Sequence, residues 1–126
     1  MTRDEHYELN LAVAKAEGLE HQTRLWKFHD SETGKTETAL VMRVRYFDPK
    51  NGVDLLGAFE PSEDAAQAME LMVKHCMTLT PEWEAWRAEI GGAVGAGDTP
   101  QEAICLCVLA LASIRQRDEV KHATGE

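Results

Sequence analysis

Arg43 and Arg45 stand two residues apart in a stretch that alternates like a strand, which puts both guanidinium groups on one face. With Trp26 and Phe28 nearby, such a pair could hold a nucleotide base or a phosphate. The competing reading is a salt-bridged outer sheet face, since the chain offers 22 carboxylates as partners. Trp83 and Trp86, if they share a strand, face opposite ways, so one belongs to the core and the other is an exposed anchor for a partner. The glycine-rich run 91–97 leads into Thr99, and glycine-rich loops at helix starts present N–H groups to anions. This run lacks the lysine of a phosphate-binding loop, however, and Asp98 would repel an anion. Thr99 as a capping residue also consumes the donors, so a structural loop is the favoured reading.

The other reactive residue types form no catalytic or metal-binding arrangement. His6, His21, His29, His75 and His122 show no ligand spacing, and His29 beside Asp30 reads as a turn pair. Cys76 follows His75 directly, and adjacent helical residues diverge, so the two do not make a nucleophile and its base. Cys105 and Cys107 point to different faces of a helix. Three cysteines within apolar helical patterns read as free thiols in a reduced, cytoplasmic setting, and no cofactor or metal is implied.

Composition narrows the partners. Hydrophobic residues make up 44% of the 126 and charged residues 28%, which predicts one packed globular domain over 1–126, with 119–126 a frayed tail. The net charge of −9 repels phosphate backbones and anionic lipids, which disfavours direct nucleic-acid binding and leaves room for a basic protein partner. No run is long and apolar enough to span a bilayer, and the polar residues 1–6 do not read as a signal peptide.

The elements follow from periodicity and punctuation. Tyr7, Leu11 and Ala14 trace a helix over 4–17, stopped by Gly18 with Leu19. Residues 23–30 and 37–47 form a hairpin around a polar turn, with Leu40, Met42, Val44 and Tyr46 on the buried face. After the turn at 48–52, a short apolar stretch over 53–59 leads to Glu60, Pro61 and Ser62, which leaves two or three strands before the second helix. A second helix starts at the N-cap Ser62 and ends near Met77, with Ala66, Met69, Met72, Val73 and Cys76 on its apolar face. Residues 80–90 read as a strand, though Thr80 and Pro81 could also open a helix, and 91–97 read as a loop. Thr99, Pro100 and Glu102 spell a capping box that opens a third helix. That helix is apolar almost all round over 103–114, which predicts packing on several sides or a homodimer contact. The predicted fold is α+β: a small antiparallel sheet of three to four strands flanked by three helices, in the order α-β-β-(β)-α-β-α.

The runs NLAVAKAEGL (10–19), FEPSEDAAQAM (59–69) and GDTPQEAICL (97–106), with the tryptophan of the intervening strand, resemble the phage alpha-beta-alpha sandwich domain family over most of the chain. The sequence departs from that pattern at Phe59, where a tryptophan or tyrosine is common, and at Gln101-Glu102, which replace a more apolar pair. The resemblance implies a phage or prophage origin and a sheet with helices on both sides. It supplies no catalytic residues.

Two functions are compatible with this reading. The first is a non-catalytic accessory protein that binds a host protein, as a counter-defence, anti-CRISPR-like inhibitor. The alternative is a small-ligand or nucleotide-sequestering protein that uses Arg43, Arg45, a tryptophan and the loop before Thr99.

Overall fold

The computed structural model describes residues 2–29, 31–48 and 52–123. The chain divides into two compact units, Met1–Phe59 and Glu60–Glu126.

In the first unit, helix α1 spans Arg3–Ala16 and is followed by strands β1 (His21–His29), β2 (Thr36–Asp48) and β3 (Val53–Ala58). The strands form an antiparallel sheet in the order β1-β2-β3. A capping box opens α1: Thr2 Oγ1 accepts the Glu5 N–H at 3.2 Å and Glu5 Oε1 accepts the Thr2 N–H at 3.4 Å. Gly18, at φ +68°, closes it, with the Leu19 N–H donating to the Ala14 carbonyl and the Gly18 N–H to the Lys15 carbonyl. That pair of bonds is the Schellman stop that Gly18-Leu19 predicted.

Helix α1 packs against β2, where Ala14, Met42 and Val44 are buried with Tyr7, Leu11, Leu19 and Phe59 around them. Burial of Met42 and Val44 stabilises the unit by about 2 kcal/mol each. The cover is incomplete. Leu40, predicted to be buried with them, is 47% exposed, and its register partner Leu25 is 70% exposed. The side chain of Tyr46 lies outside the described residues.

The second unit holds α2 (Ala65–Lys74), β4 (Thr78–Glu82), β5 (Ala85–Ile90), β6 (Ala93–Gly97) and α3 (Pro100–Ala123). Strands β4-β5-β6 form a second antiparallel sheet in sequence order. Helix α3 packs on β6 and β5, and α2 packs on α3. Among the described residues the protein is thus α+β with three helices flanking antiparallel strands, as predicted, but the six strands there are shared between two sheets of three.

Several boundaries differ from the sequence reading for identifiable reasons. Residues 80–90 are not one strand: Trp83 and Glu84 form a two-residue turn between β4 and β5, and Pro81 is accommodated because β4 is an edge strand. Residues 91–97 are not a loop. Gly91 and Gly92, at φ +52° and +88°, supply the two left-handed residues of a type I′ hairpin turn, and Ala93–Gly97 is strand β6. Helix α2 is capped by Asp64, not Ser62: Asp64 Oδ1 accepts the N–H groups of Ala66 at 2.9 Å and Gln67 at 3.1 Å. The Glu60 carbonyl holds the preceding residues in a turn by accepting the N–H groups of Glu63 and Asp64, which moves the helix start two residues on.

The buried residues of α2 are Ala68 and Leu71, whereas Ala66, Met69, Val73 and Cys76 are exposed. Both stripes of this helix are apolar, so periodicity cannot choose between them. Contact with α3 does. Helix α3 continues beyond Arg117 to Ala123, through residues expected to fray.

Cys76 follows the C-cap of α2 at φ +57°, with its N–H donating to Val73 and that of Met77 to Met72. This is the same Schellman geometry as at Gly18, with a side chain where glycine is favoured. Cys76→Gly is therefore expected to stabilise the protein by about 1 kcal/mol, read as a raised urea midpoint with an unchanged slope.

Candidate functional site

Arg43 and Arg45 lie on β2, the central strand of the first sheet, where Arg43 pairs with Gln22 and Ala58 and Arg45 with Leu56. Arg43 is half-buried, and the side chain of Arg45 lies outside the described residues. The backbone register sets Trp26 opposite Ala39 and Phe28 opposite Glu37. Trp26 therefore sits beside a position four residues from Arg43 along β2, or about 13 Å away. The register does not bring the expected arginine–aromatic pairs into direct opposition.

The other three candidates fall in the second unit and converge. Trp86, on β5, pairs with Pro81 on one side and Gly97 on the other. That register brings the Trp83-Glu84 turn and the Asp98-Thr99 junction to the same end of the sheet. Trp86 is half-buried and shares the strand parity of fully buried Ala88, on the side that α3 covers. Trp83 is 91% exposed at the tip of the turn. One tryptophan is thus largely packed and the other presented, as expected, but they are separated by a turn and do not alternate on one strand.

This end of the sheet is held by three devices. The first is the pair of strand ladders flanking the turn. The second is the cap of α3, where Thr99 Oγ1 accepts the Glu102 N–H at 3.1 Å and Glu102 Oε2 accepts the Asp98 N–H at 3.1 Å. Thr99 and Glu102 thus engage each other and the junction, leaving Thr99 an architectural residue more than a ligand contact. Thr99→Ala should lower stability by about 1 kcal/mol, measured by chemical denaturation, while leaving the Trp83 turn in place. The third is close approach. Ala93, Gly95 and Gly97 share the inner face of β6, and a Cβ added at Gly95 would collide with the backbone of α3.

The charge around Trp83 is acidic. Glu82 and Glu84 flank it in the chain, Asp98 and Glu102 belong to the α3 junction at the same sheet end, and the Arg87 guanidinium lies 3.7 Å from Glu82 and 3.7 Å from Glu89. These half-exposed pairs contribute little to stability, so the carboxylates chiefly set the local potential.

Two of the thiols, Cys105 and Cys107, are buried on α3. Burial, helped by nearby Glu102, pushes the Cys105 thiol up to about 12, and burial also raises that of Cys107, against hydrogen bonding that lowers it. Neither supplies a thiolate near neutral pH. The Cys107 thiol instead donates to the Ala93 carbonyl at 3.7 Å, tying α3 to β6. Among the described residues, no cluster of three or more His, Cys, Asp or Glu side chains could hold a metal ion, and no helix is long and apolar enough to cross a membrane.

Fold and site together define a small α+β protein of two three-stranded antiparallel meanders, the second presenting an exposed tryptophan in an acidic setting at a braced sheet end. No family model, curated protein or solved structure matches the chain.

Proposed function

We propose that the protein is a non-catalytic binding protein that engages a basic surface of a protein partner through the Trp83 end of its second sheet. The observation that carries this reading is Trp83 itself: a tryptophan 91% exposed at a two-residue turn, between Glu82 and Glu84. Tryptophan is enriched among the residues that dominate binding energy, and a turn held by paired strands orders it before contact. The surrounding carboxylates and the net charge of −9 favour a cationic partner and speed its encounter.

In this reading the partner is a host protein. A component of antiviral defence whose cationic groove ordinarily holds nucleic acid offers the matching charge. The nucleotide-sequestering alternative has less support. The register sets Trp26 opposite Ala39, four residues along β2 from Arg43, and the loop it would use is strand β6. The test is to titrate a captured partner with wild type and Trp83→Ala; equal affinity for both would exclude Trp83 as the anchor.

A further inference from the structure

We propose that strand β1 is a self-association edge: two copies pair antiparallel through β1 about a two-fold axis at Leu25, joining two three-stranded sheets into one of six. This inference rests on the first unit and is independent of the Trp83 site.

Strand β1 lies at the edge of its sheet and is nine residues long, without glycine or proline. Among the described residues, none of 22–29 makes a backbone hydrogen bond outside the pairing with β2. Edge strands are ordinarily blunted by shortness, charged side chains, proline or cover. In the second sheet, the edge strand β4 is five residues long and carries Pro81. Strand β1 is neither short nor interrupted by proline; its charged residues are Arg24 and Lys27, and Leu25 at its midpoint is 70% exposed beside 47%-exposed Leu40. A cross-strand pair of exposed leucines at an open edge is an unfinished apolar row.

A second copy of the same strand completes it. With Leu25 on the axis, all nine residues find partners: His21 meets His29, Thr23 meets Lys27 and Arg24 meets Trp26 of the second copy. No lysine or arginine opposes another, so the pairing is free of the like-charge penalty. The two copies contribute Leu40, Leu25, Leu25 and Leu40 as one continuous row on the α1 side of the joined sheet. A nine-residue strand is about 30 Å long, which places the contact among the smaller specific interfaces, below about 1,200 Å². A reversible dimer in the micromolar range is the matching expectation. Each copy carries a net charge of −9, so added salt should tighten association by screening the mutual repulsion.

Sedimentation equilibrium from about 1 μM to about 1 mM protein tests this directly. Wild type should show a monomer–dimer equilibrium that shifts toward dimer with salt. Leu25→Lys, which sets two like charges opposite each other on the axis, should weaken the dimer at least tenfold, on the order of 1.4 kcal/mol. Because Leu25 is largely exposed, an unchanged melting curve should certify that the variant is folded. As a second probe, Leu25→Cys in a Cys76→Ala background should cross-link to itself under mild oxidation, whereas Thr23→Cys should not. A monomer throughout the range, or a dimer that Leu25→Lys leaves intact, would overturn the proposal.

Discussion

Gly95→Ala is expected to remove about 3 kcal/mol or more of stability, at the upper end of what overpacking a core costs. The added methyl would point at the Ala103 carbonyl oxygen and the Cys107 amide nitrogen and would lie 2.8 Å from the carbonyl carbon of Leu106. These are backbone atoms of α3, so no rotamer change can clear the space. Either β6 lifts from the helix or α3 shifts along its length, and both expose the faces that bury Ala88, Ala93, Ile104 and Val108. Ala96, next along β6, is exposed, and Ala96→Ser should change stability by less than about 0.5 kcal/mol. Urea unfolding of the two variants measures both effects. A Gly95→Ala protein as stable as wild type would mean that β6 does not lie backbone to backbone against α3.

Trp83→Ala separates binding from folding. Because the side chain is 91% exposed, its removal should alter stability by no more than about 0.5 kcal/mol. Partner affinity should nonetheless fall by about 30-fold or more, the 2 kcal/mol or greater loss typical of a buried aromatic anchor. The loss should lie mainly in the dissociation rate, since packing contacts are broken while the acidic field that steers encounter is retained. Isothermal titration and surface kinetics with the captured partner distinguish the two rates. Retained affinity, or affinity lost only together with the melting transition, would remove Trp83 from the interface and with it the observation on which the proposed function stands.

The candidate site was partly legible before folding. Thr99 was read correctly as a cap because the Thr-Pro-Gln-Glu order specifies local hydrogen bonds that close within four residues. Exposure of one tryptophan of the pair was also anticipated, but from strand alternation, whereas the structure uses a turn at Trp83-Glu84. Nothing local announces that turn. Glu84 adopts φ +56°, a conformation for which glutamate carries no sequence signal, and Cys76 does the same at +57° beyond α2. Gly91-Gly92 did carry a hairpin signal, but the small residues that follow concealed it. Ala93, Gly95 and Gly97 have little strand propensity and form a strand because only small residues allow α3 to approach.

By itself, the sequence determined the Thr99 cap of α3, the Schellman stop at Gly18-Leu19, the α+β class and the acidic balance, because these depend on neighbours in the chain or on composition alone. The tertiary structure decided the division of six strands into two sheets, which stripe of α2 is buried, and the meeting of Trp83, Trp86 and Thr99 at one sheet end. Each of those outcomes turns on contacts between segments far apart in the chain. A helix with two apolar stripes or a strand of small residues has no preference of its own, and the partner it packs against makes the choice.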